Sequence, residues 1–319
     1  MYTKKLKIKL PASSSSQYDL NDYVFADKLA DNNTPFVSHT IEIWRHKKSR
    51  KKVVVKKVRH GCEHSLVADL IGQRFFSLAN LPVPKTSLVK FQGRYCLVEE
   101  FLYGYSNSPD PLVLPKHHEN NRVVKSGIIW DIWLGHYDRQ PYNFMFKGKD
   151  VIFIDFGGSL TSSPSGQIKG FYSTVSDQEI LRCVRAFQGN QPVNAAYGKV
   201  ISVIAGAYNP LILDKHLIKI LIKKLAKITD EQIDTIVDEA SMPFIKKNSR
   251  RIERILKTLS LKLKIPLEKL HYRHYHRNFF EAQETYQIIH DNFNNDESQY
   301  LKWALKERRN SIVHKFSNI

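Results

Sequence analysis

The chain has 319 residues, 42% hydrophobic and 11% aromatic, enough for two or three packed units and too apolar for a wholly disordered protein. Its formal charge of +18 points to anionic partners (nucleic acid, an anionic membrane surface or a polyphosphorylated small molecule) and says nothing about fold. No run approaches the roughly eighteen apolar residues of a membrane span, and Cys62, Cys96 and Cys183 lie too far apart for a metal-ligand pattern, as suits a reducing compartment.

Residues 1–10 alternate lysine with apolar residues and predict a strand, not the apolar stretch of a signal peptide. With the Lys/Asn/Ile-rich composition this suits a cytoplasmic bacterial protein; an effector delivered into a host cytosol would look the same. Ser13 to Ser16 is a short low-complexity run, and Tyr18 to Ala30 reads as a short helix or a pair of turns. Thr40–Trp44 and Lys52–Val58 are predicted strands around the polar turn His46–Arg50. Period-two alternation in the second strand puts Val54 and Lys56 on one face and Lys57 on the other. Val53-Val54-Val55-Lys56 fits the pattern of a phosphate-handling lysine. Lys57 is the alternative, because a one-residue slip exchanges the faces, and a basic edge strand would carry the same residues.

Cys62 to Leu78 predicts a helix with Leu66, Leu70, Ile71 and Phe75 on one face. Glu63 in its first turn suits the positive end of the helix dipole and is the natural salt-bridge partner for Lys56. Leu81-Pro-Val-Pro84 ends that helix, and two strands, Ser87–Phe91 and Tyr95–Leu102, follow around Gln92-Gly93-Arg94. The second leaves for new territory at Glu99-Glu100-Phe101-Leu102, which sets a boundary between residues 1–102 and 103–319. A proline-rich loop and a helix over Val123–Leu134 lead into Gly135-His136-Tyr137-Asp138-Arg139-Gln140-Pro141-Tyr142-Asn143.

Asp138 and Asn143 are five residues apart, and Asp155-Phe156-Gly157 follows twelve residues after Asn143, room for one short hairpin. That spacing is the layout of a phosphoryl-transfer site: one carboxylate accepts the proton of an attacking hydroxyl, while an amide and a second carboxylate hold a metal that neutralises phosphate charge. Ser159–Gly170 is a Ser/Gly/Pro-rich loop, and from about residue 177 onward the chain reads as helices: 177–188, 195–207, 211–227, 230–239, 244–264, 278–291 and 297–315. Thr229-Asp-Glu-Gln232 is a capping box. His271, His274 and His276, interleaved with Tyr and Arg, read as a solvated helix face before a metal site.

These motifs resemble the protein-kinase-like superfamily and, within it, the atypical branch of HipA-type kinases and phosphoinositide 3/4-kinases. Asp138-Arg139-x-x-x-Asn143 looks like the loop of those kinases, and His136-x-Asp138-x-x-Pro141-x-Asn143 is similar to that of protein kinases. Glu63-x(4)-Ala68-x(2)-Ile71-Gly72 through Pro84, then Tyr95 to Phe101, is similar to the stretch from the regulatory helix to the hinge. The resemblance covers about residues 50–160. It implies an α+β, two-lobed fold with a small β-rich N-lobe carrying one helix and a larger, mainly helical C-lobe. It further implies that Asp138 orients or deprotonates the acceptor and that Asn143 and Asp155 bind Mg2+ or Mn2+. Lys56, supported by Glu63, would hold the phosphates of ATP, and Glu99, Glu100, Phe101 and Leu102 would contact adenine. Three features depart from the family: no glycine precedes Gly61, Gln140 stands where protein Ser/Thr kinases usually carry lysine, and no A-P-E motif follows Asp155.

The expected reaction is transfer of the γ-phosphoryl group to a hydroxyl, on protein Ser/Thr (including autophosphorylation) before a phosphoinositide. A catalytically weak kinase fold that binds a polyanion or a membrane is the reading from a different class. Lys246, Arg250 and Arg254, with Lys247 and Arg251 beside them, and Lys215 and Lys219 on another helix, are candidate contacts for an inositol polyphosphate or an anionic membrane surface; an ordinary solvated face would carry the same residues. No nucleic-acid-binding fingerprint appears.

Overall fold

The structure is a computed structural model that describes residues 18–30, 39–58, 62–107, 122–136, 139, 141–163, 168–176, 179–180, 187–188, 191–192, 215–241, 249–264 and 273–317. Five strands form one antiparallel sheet: β1 (Tyr23–Ala30), β2 (His39–His46), β3 (Lys52–Val58), β4 (Thr86–Phe91) and β5 (Arg94–Glu100), in the order β1-β2-β3-β5-β4. The β4–β5 turn is made by Gln92 and Gly93, both at positive φ (48° and 79°), the conformation a tight hairpin requires. Tyr23–Ala30 is a strand, not the helix or turns expected from sequence. It is an exposed edge whose pairing with β2 is interrupted by two register shifts, so it shows no clean alternation. The 3-10 turn Leu20–Asp22 enters it, capped by the Asp19 carboxylate.

Alternation in β3 and β5 separates two environments. Val53, Val55, Cys96 and Val98 join Leu20, Trp44 and Val89 in a small apolar cluster on one face. The other face packs against α1 (Glu63–Leu78). This helix is buried almost all round, with Leu66, Val67, Ala68, Ile71, Phe75 and Phe76 inaccessible, because it is also part of the helical body.

The helix expected over Val123–Leu134 is two, α2 (Arg122–Ser126) and α3 (Ile128–Leu134), interrupted at Gly127; Gly135, at φ 59°, caps α3. A hairpin of β6 (Phe144–Lys147) and β7 (Asp150–Phe153) follows in the register Phe144↔Phe153. The short strands β8 (Phe187–Gln188) and β9 (Gln191–Pro192) pair where the sequence predicted the end of a helix; 195–207 lies outside the described residues, as do residues 1–10. The remaining helices are α4 (Lys215–Leu225), α5 (Asp230–Ser241), α6 (Ser249–Leu263), α7 (Arg273–Asn292) and α8 (Glu297–Lys315). The capping box is present: the Thr229 amide donates to Gln232 Oε1 at 3.0 Å and the Gln232 amide to Thr229 Oγ1 at 3.2 Å. One large apolar core runs from α1 through α3 and β6–β7 to α8.

The class is therefore α+β, as expected: an antiparallel sheet with one long helix, followed by a largely helical remainder. No described helix is long and apolar enough to cross a membrane.

Candidate active site

Lys56 lies on the face of β3 turned toward α1, and its Nζ is 2.8 Å from the Asp69 carboxylate and 3.0 Å from that of Glu99. Asp69 comes from the middle of α1. Glu99 comes from β5 and is a diagonal neighbour of Lys56, whose direct partner is Leu97. Gln73, one helical turn after Asp69, donates from Nε2 to both carboxylates, at 3.1 and 2.6 Å, and its own oxygen accepts from Thr86 Oγ1 of β4. All five side chains are buried. Lys57 is on the opposite face, where it pairs with Glu42 at 2.7 Å and lies over the Trp44 ring.

The expected pairing of Lys56 with Glu63 is not what the structure shows. The carboxylates acting on Lys56 are Asp69, Glu99 and Asp155. Glu63 stands in the first turn of α1, six residues or about 9 Å of helix rise before Asp69. A helix N-terminus attracts an acid whatever lies opposite, whereas the strand register delivers Lys56 to the middle of the helix. Burial alone would push Lys56 toward the neutral amine; the three carboxylates outweigh it and raise its pKa. Burial would likewise raise Asp69, but Lys56 and the surrounding donors hold it below the usual carboxylate range. Glu99 is raised, burial outweighing Lys56, so Asp69 is the firm counter-ion.

Asp155 is at φ 55°, a left-handed conformation uncommon for a residue with a side chain, though more accessible to Asp than to most. Its Oδ1 accepts from the Gly157 amide at 3.3 Å, closing a local turn. A Cβ on Gly157 would lie 2.9 Å from Ser65 Oγ and 3.0 Å from His39 Cε1, so the turn is pressed against α1 and β2. Those two side chains contact each other, His39 Nε2 to Ser65 Oγ at 3.0 Å. The amide of Phe156 donates to Asp69 Oδ1 at 3.0 Å, which joins the turn directly to the counter-ion of Lys56. The Phe156 ring packs edge-on to Phe76 (4.6 Å) and against Gly72, where a Cβ would be only 2.6 Å from that of Phe156.

The 136–143 loop is anchored from below. Arg139 is fully buried; Nε and Nη2 donate to the two Asp131 oxygens, each at 3.1 Å, and Nη1 to the carbonyls of Ile154 (2.8 Å) and Asn143 (3.3 Å). Its guanidinium also stands 4.6 Å from the Phe156 ring centre. His136 Nε2 is 3.2 Å from the Asp155 carbonyl. Burial, with Arg139 and Lys169 adding to it, lowers the His136 pKa well below its ordinary value and keeps the ring neutral. Asp138 lies outside the described residues, but residues on both sides of it, His136 and Arg139, are fixed.

Asn143 is buried at the end of the 3-10 turn Pro141–Asn143, and its carbonyl accepts from Ile154 at 3.1 Å; this continues the β6–β7 register and sets Asn143 beside the residue before Asp155. Asp69, Glu99 and Asp155 are the three carboxyl groups whose field acts on Lys56. Asn143 and Asp155 offer the oxygen donors a hard cation prefers. Among the described residues no group of three or more His, Cys, Asp and Glu could hold a metal. An ion that takes two protein ligands and completes its shell with phosphate and water, as magnesium does, would need no larger group.

In the segment expected to contact adenine, the Glu99 side chain is turned inward onto Lys56 and Gln73. Glu100 accepts from the Lys85 amide at 2.9 Å. Phe101 packs on Tyr103 (4.9 Å) under Lys52 Nζ, the Tyr103 hydroxyl accepts from the Lys52 amide at 2.8 Å, and Leu102 gives its carbonyl to Tyr105. Of the polyanion candidates, Lys219 is exposed on α4, and Arg250 and Arg254 on α6. Arg251 turns inward to an ion pair with the buried Glu297, which removes it from any outward face. Lys246, Lys247 and the side chain of Lys215 lie outside the described residues. The two basic helices pack chiefly on different partners, α4 on α3 and α8, α6 on α7, although Arg251 of α6 also reaches Glu297 of α8.

Sequence reasoning missed Asp69, Gln73, His39, Ser65 and the anchoring role of Arg139. The available signal was Asp69 and Gln73, two polar residues one turn apart in the most apolar stretch of the helix, Leu66–Phe76.

No family model matches the chain, and no curated protein matches it. Among solved structures it is similar to the crystal structure of a Helicobacter pylori proinflammatory kinase, CtkA, over 89% of this chain and 93% of that one, with 12% identity and a TM-score of 0.44. A likeness of that size adds no weight to the site, which stands on its own geometry.

Proposed function

We propose that the protein is an ATP-dependent phosphotransferase that moves the γ-phosphoryl group to a hydroxyl, on protein Ser/Thr in the first instance. One observation carries the reading: the amide of Phe156 and the ammonium of Lys56 share the carboxylate of Asp69. A buried lysine, a helix carboxylate and the Asp155 turn, far apart in sequence, are thereby locked into one constellation.

In this reading Lys56, held by Asp69, presents its ammonium to the nucleotide phosphates, while Glu99 to Leu102 border the base. Asn143 and Asp155 hold Mg2+ or Mn2+, which when bound neutralises charge on the transferring phosphoryl group. Asp138 accepts the proton of the attacking hydroxyl. Arg139 does not touch phosphate or lipid. A phosphoinositide acceptor was suggested by Arg139 and by the basic face; the Arg139 guanidinium is engaged by Asp131 and two carbonyls, so that alternative now leans on the basic face. Lys219, with Lys223 and Lys224 beside it on α4, and Arg250 and Arg254 on α6 are the exposed basic residues for an anionic activator or surface.

The test is incorporation of γ-labelled phosphate with Mg2+ or Mn2+, wild type beside Asp155→Ala and Asp138→Ala, offered a protein mixture and phosphoinositide vesicles, with and without inositol hexakisphosphate. Label on protein that both variants abolish supports the reading, and label confined to lipid replaces the acceptor class. No label under any condition leaves a kinase-shaped binding protein and removes the catalytic claim.

A further inference from the structure

We propose that Lys169 is a positioning residue of this site, its ammonium stapling the start of the 136–143 loop to the turn that follows Asp155. The inference rests on the phosphotransferase reading for its kinetic consequence and on geometry for its placement. Lys169 is 4% exposed, and its Nζ donates to the carbonyl of Gly158 at 2.8 Å and to that of Gly135. Gly135 is the left-handed cap that ends α3, three residues before Asp138. Gly158 directly follows the Asp155-Phe156-Gly157 turn. One buried cation therefore grips the backbone three residues before the proposed base and three residues after the proposed metal ligand.

The backbone that delivers this ammonium is itself held. The Lys169 amide donates to the Thr161 carbonyl at 2.9 Å, and Ser162 bridges Ile168. Thr161 Oγ1 donates to the buried Glu297 at 3.1 Å, and Gly170 presses so closely on α7 that a Cβ would lie 2.6 Å from Glu281. Burying an ammonium is costly, and packing alone would be served by methionine or leucine. What the charge supplies is fixed geometry between two segments that a reacting phosphoryl group needs in register, and small misplacements there cost rate more than affinity.

The experiment compares wild type, Lys169→Met and Lys169→Arg in the full chain, by initial rates with Mg-ATP and by hydrogen exchange of amides 139–146 and 155–159. The expected result for Lys169→Met is a kcat lower by roughly tenfold or more with KM for ATP within about twofold, faster exchange in both segments, and recovery of most of the rate in Lys169→Arg. An unchanged kcat overturns the proposal. So does a joint loss of kcat, nucleotide affinity and thermal stability that arginine does not relieve, since that describes a merely structural lysine. If wild type shows no metal-dependent turnover sensitive to Asp155→Ala, the phosphotransferase reading falls. The staple is then decided by exchange alone, and unchanged exchange in the methionine variant overturns it.

Discussion

Asp69 takes donors from three parts of the chain: Lys56 of the sheet, Gln73 of its own helix and the amide of Phe156. Removing Lys56 strands this carboxylate and Glu99 in a buried place. Lys56→Met is therefore expected to abolish turnover and to lower stability by about 3 kcal/mol, the size seen when one partner of a buried pair is lost. Urea denaturation of the two proteins checks this, and Lys57→Met, on the other face, should leave turnover intact. His39 and His136 make a second prediction. Burial lowers both pKa values, assisted by Lys56 at His39 and by Arg139 and Lys169 at His136, against the pull of Asp155 and Asp69 on His39. Above the ordinary value of 6.5 both rings are neutral in folded and unfolded chains alike. Below it the unfolded chain takes up protons that the folded chain refuses, so stability is intact above pH 6.5 and falls as pH drops toward the lowered folded values. The slope approaches about 1.4 kcal/mol per pH unit for each histidine. Thermal melts between about pH 5 and 8 should show the loss, and His136→Gln should flatten it.

Gly72 and Gly157 allow α1 and the Asp155 turn to touch. Gly72→Ala forces a Cβ into Phe156 and should cost roughly 1–3 kcal/mol together with most of the activity, read by melts and labelled-phosphate transfer. A contrasting case is the ladder between α5 and α8, where Asp230, Asp234 and Asp238 meet Arg309, Lys306 and Lys302 at 2.7–2.8 Å. Their carboxylates are 39–60% exposed. Asp238→Ala should therefore lower stability by under about 1 kcal/mol, and by less in high salt. What the sequence disclosed follows the same physics. The β2–β3 hairpin and the Thr229 capping box were legible because alternation and caps are local. The spacing of Asn143 and Asp155 was legible because a short hairpin fixes it. Edge strand β1 was hidden by its bulges and exposure, and α2–α3 looked continuous because one glycine interrupts a helix without altering its apolar pattern. Asp69, Arg139 and Lys169 were illegible for a common reason: long or charged side chains are assigned to water, and only tertiary register reveals three that are buried.

At the scale of the molecule, the main core does not stop at the end of the sheet. Phe75 and Phe76 of α1 belong to the same apolar mass as Trp133, Ile236 and Leu305, while the small cluster around Trp44 lies on the far face of the sheet. With α1 bolted to the sheet by Lys56, Gln73 and Glu99, the chain is expected to unfold in one transition, calorimetric and van't Hoff enthalpies agreeing; two resolved transitions would show separable halves. The buried Arg308 of α8 donates to the carbonyls of Ile132 and Trp133 at 2.6 and 2.7 Å, closing the end of α3 from which the 136–143 loop departs. A chain emerging from the ribosome exposes its N-terminal part first. Lys56, Asp138 and Asp155 are thus all synthesised long before the arginine that supports their scaffold. The support beneath the start of the 136–143 loop is therefore completed only when residue 308 has been made and docked.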